Sequence, residues 1–531
     1  MSESTKNIDK SQRPPANPWL IAVVVSLATF MEVLDTTITN VSLSHIGGSL
    51  AASQDESTWV LTSYLVANGI ILPLSGWLGQ VIGRKRYFIL CIIGFTLASF
   101  LCGAATSLPM LIVFRLLQGL AGGGLQPTQQ AIIMDAFPPE KRGAVFGLTG
   151  ITLILAPALG PTLGGWITDN FSWRWIFFMN IPVGIIAAFL VARLVQDPPH
   201  AIARGLQRLD GIGLGLIVLG IGTLQIVLDK GQQEDWFDSN FIVSMTIGCI
   251  ILLTTASLWL WRQQDAVVDL HLLQNKQYAV SCLLIFITGF ALYSSSALIP
   301  LLVQSQMGYD ATWAGLILSP GAACLVFLMP LVGKLVSKIA APHLIRFGLA
   351  LNMLGMLYTS TLNPTLDYQT FMLMRVVQVL GLPFLFIPVS TMAFRNIAAQ
   401  SRGKASAFFS LARNMGGSVG IALTTTYLTR HSQYHQNDLS SHLIAGAPVY
   451  EERLRLLTTT AQAHGMPAAA AGQQALGNLY HELQRQASFL AYQDSFMLLA
   501  GLMALAFIAT FFLSTKQPIA TSAAADAPAA H

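Results

Sequence analysis

The chain has 531 residues, 53% of them hydrophobic and only 10% charged, with a mean hydropathy of +0.58. A soluble domain carries roughly 25% charged residues, so this composition excludes a protein that faces water all round. The net charge of +4 says little by itself and gives no ground for a nucleic-acid partner; the placement of the charges says more.

The first 18 residues are polar, carry Lys6, Lys10 and Arg13, and end at Pro18. The apolar run from Trp19 is too long for a signal-peptide core and lacks a cleavage site of small residues, so it reads as a retained first helix spanning 19–41. Further blocks follow near 58–80, 87–106, 110–134, 144–168, 175–195, 211–229, 241–261, 279–303, 312–334, 344–362, 370–394, 404–429 and 493–514. Each is about 20 residues, the length that crosses a ~30 Å hydrocarbon core. Lipid offers the backbone no hydrogen-bond partner, so only helices or closed barrels cross it, and continuous rather than alternating apolar runs decide for helices. The expectation is an all-α polytopic membrane protein with the bilayer as its solvent and about fourteen transmembrane helices.

An even number of spans puts both ends on one side, and the basic residues say which. Arg84, Lys85, Arg86, Lys141, Arg142, Arg204, Arg208, Lys334, Lys338, Arg346, Arg395, Arg402 and Lys404 all fall on the face of the amino-terminal tail, which the positive-inside rule makes cytoplasmic. The opposite face keeps Arg174, Lys230, Arg430, Arg453, Arg455 and Arg485. The long polar stretch 431–490 then lies outside, with helix-like pieces at Tyr450–Thr460 and Gln473–Phe489 joined by an Ala-rich linker near Pro467–Ala471. A solvated cap and an adaptor-docking element are equally open readings of it. The tail after Lys516 is Ala/Pro-rich and reads as disordered. The five cysteines all sit in apolar blocks, which suits packing and leaves no disulfide framework or metal site in view.

The fourth span reads Leu111-Ile-Val-Phe-Arg115-Leu-Leu-Gln118 and the twelfth Phe371-Met-Leu-Met-Arg375-Val-Val-Gln378, an offset of 260 that holds at Arg142/Arg402, Gly143/Gly403 and Gly160/Gly420. Pro73-Leu74-Ser75-Gly76 matches Pro330-Leu331-Val332-Gly333 at 257, and Thr58-Trp59 matches Thr312-Trp313 at 254. A slowly drifting offset over several helices marks an internal repeat. It divides the chain into a tail 1–18, a six-helix bundle 19–200, an inserted helix pair 201–270, a second six-helix bundle 271–515 and a tail 516–531. Parallel halves of this kind place a substrate site between them near the membrane midplane.

Ionisable groups inside spans are expensive, so each is a functional candidate. Glu32 and Asp35 share one face of the first helix, and two close carboxylates in low dielectric do not both ionise freely, which suits a proton-coupling site. Arg115 lies mid-span and needs a partner, for which the first-span acids are the available kind. Its twin Arg375 points partly to structure, and Arg413, near a span end, is expected to snorkel. Asn40, Asn68, Gln118, Gln126 and Asn180 are the polar candidates for a cavity wall, with Arg375 beside them. In the fifth span Pro157, Gly160, Pro161, Gly164 and Gly165 combine helix kinks with four-residue glycine spacing that lets helices approach closely.

Leu34-Asp35-Thr36-Thr37-Ile38-Thr39-Asn40-Val41, Leu111-x-x-x-Arg115-x-x-Gln118-Gly119, Gly160-Pro161-x-x-Gly164-Gly165 and Trp173-Arg174-Trp175-Ile176-Phe177 through Asn180-x-Pro182 together resemble the motifs of the fourteen-helix drug:proton antiporters of the major facilitator superfamily, the EmrB/QacA type and within it the EmrB exporters. The resemblance covers essentially the whole chain. It implies a major facilitator fold and proton-coupled efflux of amphipathic small molecules, with Asp35 and Arg115 in the coupling site and protons in place of any cofactor. It also implies a Gram-negative inner membrane, a periplasmic membrane-fusion adaptor and an outer-membrane channel. One motif departs: in Gly76-Trp77-Leu78-Gly79-Gln80-Val81-Ile82-Gly83-Arg84-Lys85-Arg86 the superfamily has an acid where Gln80 stands, which leaves Arg84 and Arg86 mainly as topology determinants.

Other classes find less support. Gly416-x-Ser418-x-Gly420 lies in an apolar helix with no preceding strand, unlike a nucleophile elbow. His481-Glu482 lacks the second His of a zinc protease, and Gly333-Lys334 and Gly403-Lys404 lack P-loop spacing, so ATP is not the expected energy source. The runner-up is a carrier of one metabolite, such as a siderophore or fatty acid, on the same scaffold.

Overall fold

Asn17 starts the first helix: its side chain accepts from the Trp19 amide at 3.0 Å, and Pro18 occupies a position whose amide needs no partner. The computed structural model describes residues 17–197, 210–263, 266–364, 366–443 and 446–512. Lys6, Lys10, Arg13, Arg204, Arg208 and the tail after Lys516 therefore lie outside the described residues.

The amino-terminal half holds α1 (Pro18–Val41), α2 (Gln54–Ile82), α3 (Arg84–Ala104), α4 (Leu108–Ala136), α5 (Pro139–Asn170) and α6 (Trp175–Leu194). A capping box of Ser53 and Glu56 opens α2. Gly83, at φ +95°, turns the chain from α2 into α3 in one residue, a conformation a side chain rarely adopts. The inserted pair is α7 (Gly211–Lys230) and α8 (Asn240–Arg262). The second half holds α9 (Lys276–Met307), α10 (Ala311–Leu335), α11 (Ala341–Thr359), α12 (Tyr368–Ala393), α13 (Arg402–Ser441) and α14 (Ala468–Ala509). Asp210, Asn275, Asp310 and Asp367 cap α7, α9, α10 and α12 with their side chains.

Twelve of these helices are long and apolar enough to cross a membrane. The other two expected spans, α11 and α13, are helical but more polar, with Arg346 and Asn352 on one and Arg413 and Asn414 on the other; both pack along α14 inside the bundle. The repeated helices break alike: α4 at Gly123–Gly124, where a Cβ on Gly123 would sit 2.6 Å from the Asn68 carbonyl, and α12 at Gly381, packed against Gly348 and Asn352.

Two seams join the halves. α5 lies along α10, and α13 lies along α2 and the second part of α4. Gly76 meets the start of α13, where a Cβ would be 2.7 Å from the Lys404 Cα, and Gly333 meets Ala144 at 2.9 Å in the same way. The inserted pair braces the second seam. On α2, Asp229 bonds Thr62, and Lys230 reaches Thr58 and stacks on Trp59 at 5.0 Å. On α13, Trp236 Nε1 donates to Thr426 at 2.9 Å.

The stretch 431–490 is not a loop. α13 runs on to Ser441, α14 begins at Ala468, and a separate helix, Pro448–Ala463, packs on α14 between them. The expected Ala-rich linker is the first turn of α14, because Ala is the strongest helix former and Pro467 sets the entry. Arg453 holds Glu482 through both carboxylate oxygens at 2.8 Å, and His435 pairs with Asp494 at 2.6 Å. A cavity of about 600 Å³ opens beside Arg430, Tyr434, Asn437 and Tyr480.

Candidate functional site

The α1 backbone is tied off locally, with the Thr36 hydroxyl bonded to the Glu32 carbonyl at 3.2 Å and Thr39 to that of Asp35 at 2.7 Å. One helical turn therefore carries both acids into the bundle, where Asp35 and Arg115 are 0% exposed.

Asp35 accepts three hydrogen bonds from two helices. Arg115 Nη1 of α4 donates at 2.6 Å, Gln118 Nε2 at 3.1 Å and Asn180 Nδ2 of α6 at 2.6 Å. Gln118 Oε1 accepts from Arg115 at 2.9 Å, and Arg115 Nε donates to the Val60 carbonyl at 3.2 Å. The guanidinium lies 4.3 Å from the Tyr64 ring centroid and 5.6 Å from that of Phe177, so its faces are covered by π-systems. Ser99 accepts from Asn180 at 3.0 Å and donates to the Phe177 carbonyl at 2.9 Å, which orients the amide.

Glu32 forms a second cluster. Its Oε1 accepts from Tyr64 at 3.2 Å and Asn68 at 3.1 Å, and its Oε2 from Gln126 at 2.8 Å. All three donors are neutral, whereas Asp35 has a cation. The acids share a helix face but not their partners, and Tyr64 touches both clusters, ring to Arg115 and hydroxyl to Glu32.

Most of the expected residues thus meet in two adjoining networks. Asn40 does not: it is exposed at the end of α1. Arg375 lies apart in the second half, donating to Ser295 at 3.1 Å, Ser296 at 2.7 Å and Gln378 at 2.7 Å. The repeat is thereby carried into side-chain contacts, with Ser295 in the place that Asp35 holds in the first half. Arg413 is buried at 2% exposure rather than snorkelling, because the seam against α2 and α4 encloses it. The fifth-span motif wedges α5 between α1 and α10: Gly160 abuts Thr37, a Cβ on Gly164 would lie 3.2 Å from Ile38, and one on Gly165 would lie 3.0 Å from Thr312. Pro157 is buried beside them, and Gly315 of α10 lies against Pro161 and Thr162.

Arg84 does more than set topology. It pairs with Asp135 at the end of α4 and donates to the Ala399 carbonyl of the other half at 3.2 Å. Arg402, at the start of α13, reaches the same Asp135 at 3.0 Å, and Gln80 donates to the Gln400 carbonyl at 3.0 Å. Asp135 thus links the halves on the basic face. Sequence reasoning missed it; the signal was an acid at the end of the fourth span, near a loop whose usual acid is replaced by Gln80.

Repeated six-helix halves with an ion pair buried inside the first of them are the architecture of a secondary transporter. The chain belongs to the major facilitator superfamily, whose sequence model matches residues 25–421. It is 36% identical over 431 residues to the multidrug export protein EmrB of Haemophilus influenzae, covering 81% of this chain and 84% of that protein. It is 32% identical over 484 residues to EmrB of Escherichia coli, covering 91% and 93%. To the fatty acid resistance protein FarB of Neisseria gonorrhoeae it is 35% identical over 424 residues, covering 80% and 83%. The human organic anion transporter MFSD10 (TETRAN) superposes with a TM-score of 0.54 over 92% of this chain and 100% of that one, at 12% identity, a likeness of fold alone. The protein is a multi-pass membrane transporter and not an enzyme.

Proposed function

We propose that this protein is a proton-coupled antiporter that exports amphipathic compounds across a bacterial inner membrane, with both termini cytoplasmic. The observation that carries the reading is the sealed Asp35 carboxylate, matched by one cation and two amides. A proton on Asp35 removes the charge that holds Arg115, so protonation and the ion pair are alternatives, and each favours a different packing of α1 against α4. On this reading the buried carboxylate exchanges its proton when the packing around α1 loosens during alternating access. The test is transport by purified protein in proteoliposomes with a pH gradient as the sole driving force. Accumulation of a lipophilic compound that collapses with the gradient is expected; accumulation indifferent to the gradient would falsify coupling. The name of the FarB relative keeps a fatty acid carrier as the second reading, marked by competition among fatty acids alone.

The reading extends to a periplasmic adaptor and an outer-membrane channel docking on the helical projection. It sits on the face opposite Arg84 and Arg402, and it turns apolar side chains to water, Val449 at 80% exposure and Leu456 at 57%. Deleting Pro448–Ala463 is expected to leave vesicle transport intact, since every span remains, and to lower resistance of whole cells. Unchanged whole-cell resistance leaves the projection as a cap.

A further inference from the structure

The charges buried in the bundle are divided unequally between the halves. The first half supplies both fully buried acids among the described residues, Glu32 and Asp35, together with Arg115. The second supplies Arg375 and Arg413 and no buried acid among the described residues. These two arginines differ. Arg375 is matched by two serine hydroxyls and the Gln378 amide. Arg413 gives one nitrogen, Nη2, to the Gln126 carbonyl oxygen and at 3.5 Å to Asn414, while its buried Nε and Nη1 have no partner among the described residues.

Gln126 is the amide that also donates to Glu32, so Arg413 stands one side chain away from the acid of the opposing half. α13 carries it in the seam against α2 and α4, where the two halves must part for alternating access. A buried guanidinium with idle donors is costly, and an arrangement that keeps them idle in one state suits a group that is met in another. The geometry points to Arg413 as the residue that receives the anionic group of an exported organic anion. A carboxylate or sulfonate on an apolar body takes the guanidinium fork through two nitrogens, while the body lies along the apolar faces of the seam. The division of labour follows: the first half holds the proton and the second half the negative charge of the cargo.

With antiport by this chain as the premise, the test compares two aromatic probes in proteoliposomes, anilinonaphthalenesulfonate as the anion and ethidium as the cation. In Arg413→Gln the anion-to-cation rate ratio is expected to fall roughly tenfold or more, the worth of one charge-assisted hydrogen-bonded contact. Arg413→Lys keeps the charge without the fork, and its ratio falls by less. An unchanged ratio in both variants, whether the two rates persist or decline together, overturns the assignment. Arg375→Gln serves as the control and shifts the ratio little. If neither probe moves in the unaltered protein, antiport fails first. Binding of anilinonaphthalenesulfonate to solubilised protein then decides the site: weaker binding in Arg413→Gln supports it, and equal binding removes it.

Discussion

Asp35→Asn is expected to abolish transport driven by a pH gradient while leaving a compound-binding protein whose affinity no longer depends on pH. The amide matches the carboxylate in shape, so Gln118 and Asn180 retain an acceptor, but it carries no titrating charge. Competition between a proton and the exported compound requires a group that titrates, and a carrier without one loses the linkage. The substitution also strips Arg115 of its counterion at 0% exposure, a destabilisation of roughly 3–5 kcal/mol for a buried pair broken on one side. The double variant Asp35→Asn with Arg115→Gln separates the two effects: it recovers thermal stability, because no unpaired charge remains, yet it stays inactive with a pH gradient. Glu32→Gln has the smaller effect, since its donors Tyr64, Asn68 and Gln126 are neutral. Full gradient-driven transport by Asp35→Asn would sink the assignment and make Glu32 the better candidate.

Asp135→Asn is the second large effect, acting on access rather than coupling. Asp135 holds Arg84 of its own half and Arg402 of the other, and Arg84 also reaches the Ala399 carbonyl across the seam. Removing one charge from a largely buried, hydrogen-bonded pair costs about 3 kcal/mol, which shifts the ratio of open to closed basic-face forms about a hundredfold. Ser75 reports on this, because it is 2% exposed beside Gly76, Arg84 and Gly403 at the closure. A cysteine placed there is expected to react with an impermeant maleimide far faster in Asp135→Asn than in the parent, from the basic side only. Equal rates in the two proteins would show that glycine packing at Gly76 and Gly333 suffices to keep that face shut.

The fold was legible in the sequence because its signals are local. An apolar run as long as the bilayer is thick declares a helix, and the Arg115/Arg375 repeat declares two halves without knowledge of any contact. The site was legible in part for a similar reason: a charge in a membrane span needs a partner, and Glu32, Asp35 and Arg115 were among the few charges inside the spans. Asn40 failed because helix position alone does not say which face meets solvent, and the structure leaves it exposed. In the polar stretch 431–490 the helix-like pieces Tyr450–Thr460 and Gln473–Phe489 fall within helices, but the expected linker at Pro467–Ala471 does not hold, because composition distinguishes water from lipid but not linker from helix, and α14 begins there.

By itself, then, the sequence determined the course of the helices along the chain, the two-fold repeat, the basic face and the acids of α1, all of which rest on spacings of a few residues or on runs of about 20. Only the tertiary structure decided who partners whom. It gave Asp35 to Arg115, Gln118 and Asn180, the last 145 residues away, and Glu32 to neutral donors. It placed Arg413 inside the seam and Asp135 across the basic face. Such pairings depend on how helices rotate and pack between the halves, and close packing rather than any local pattern fixes that rotation.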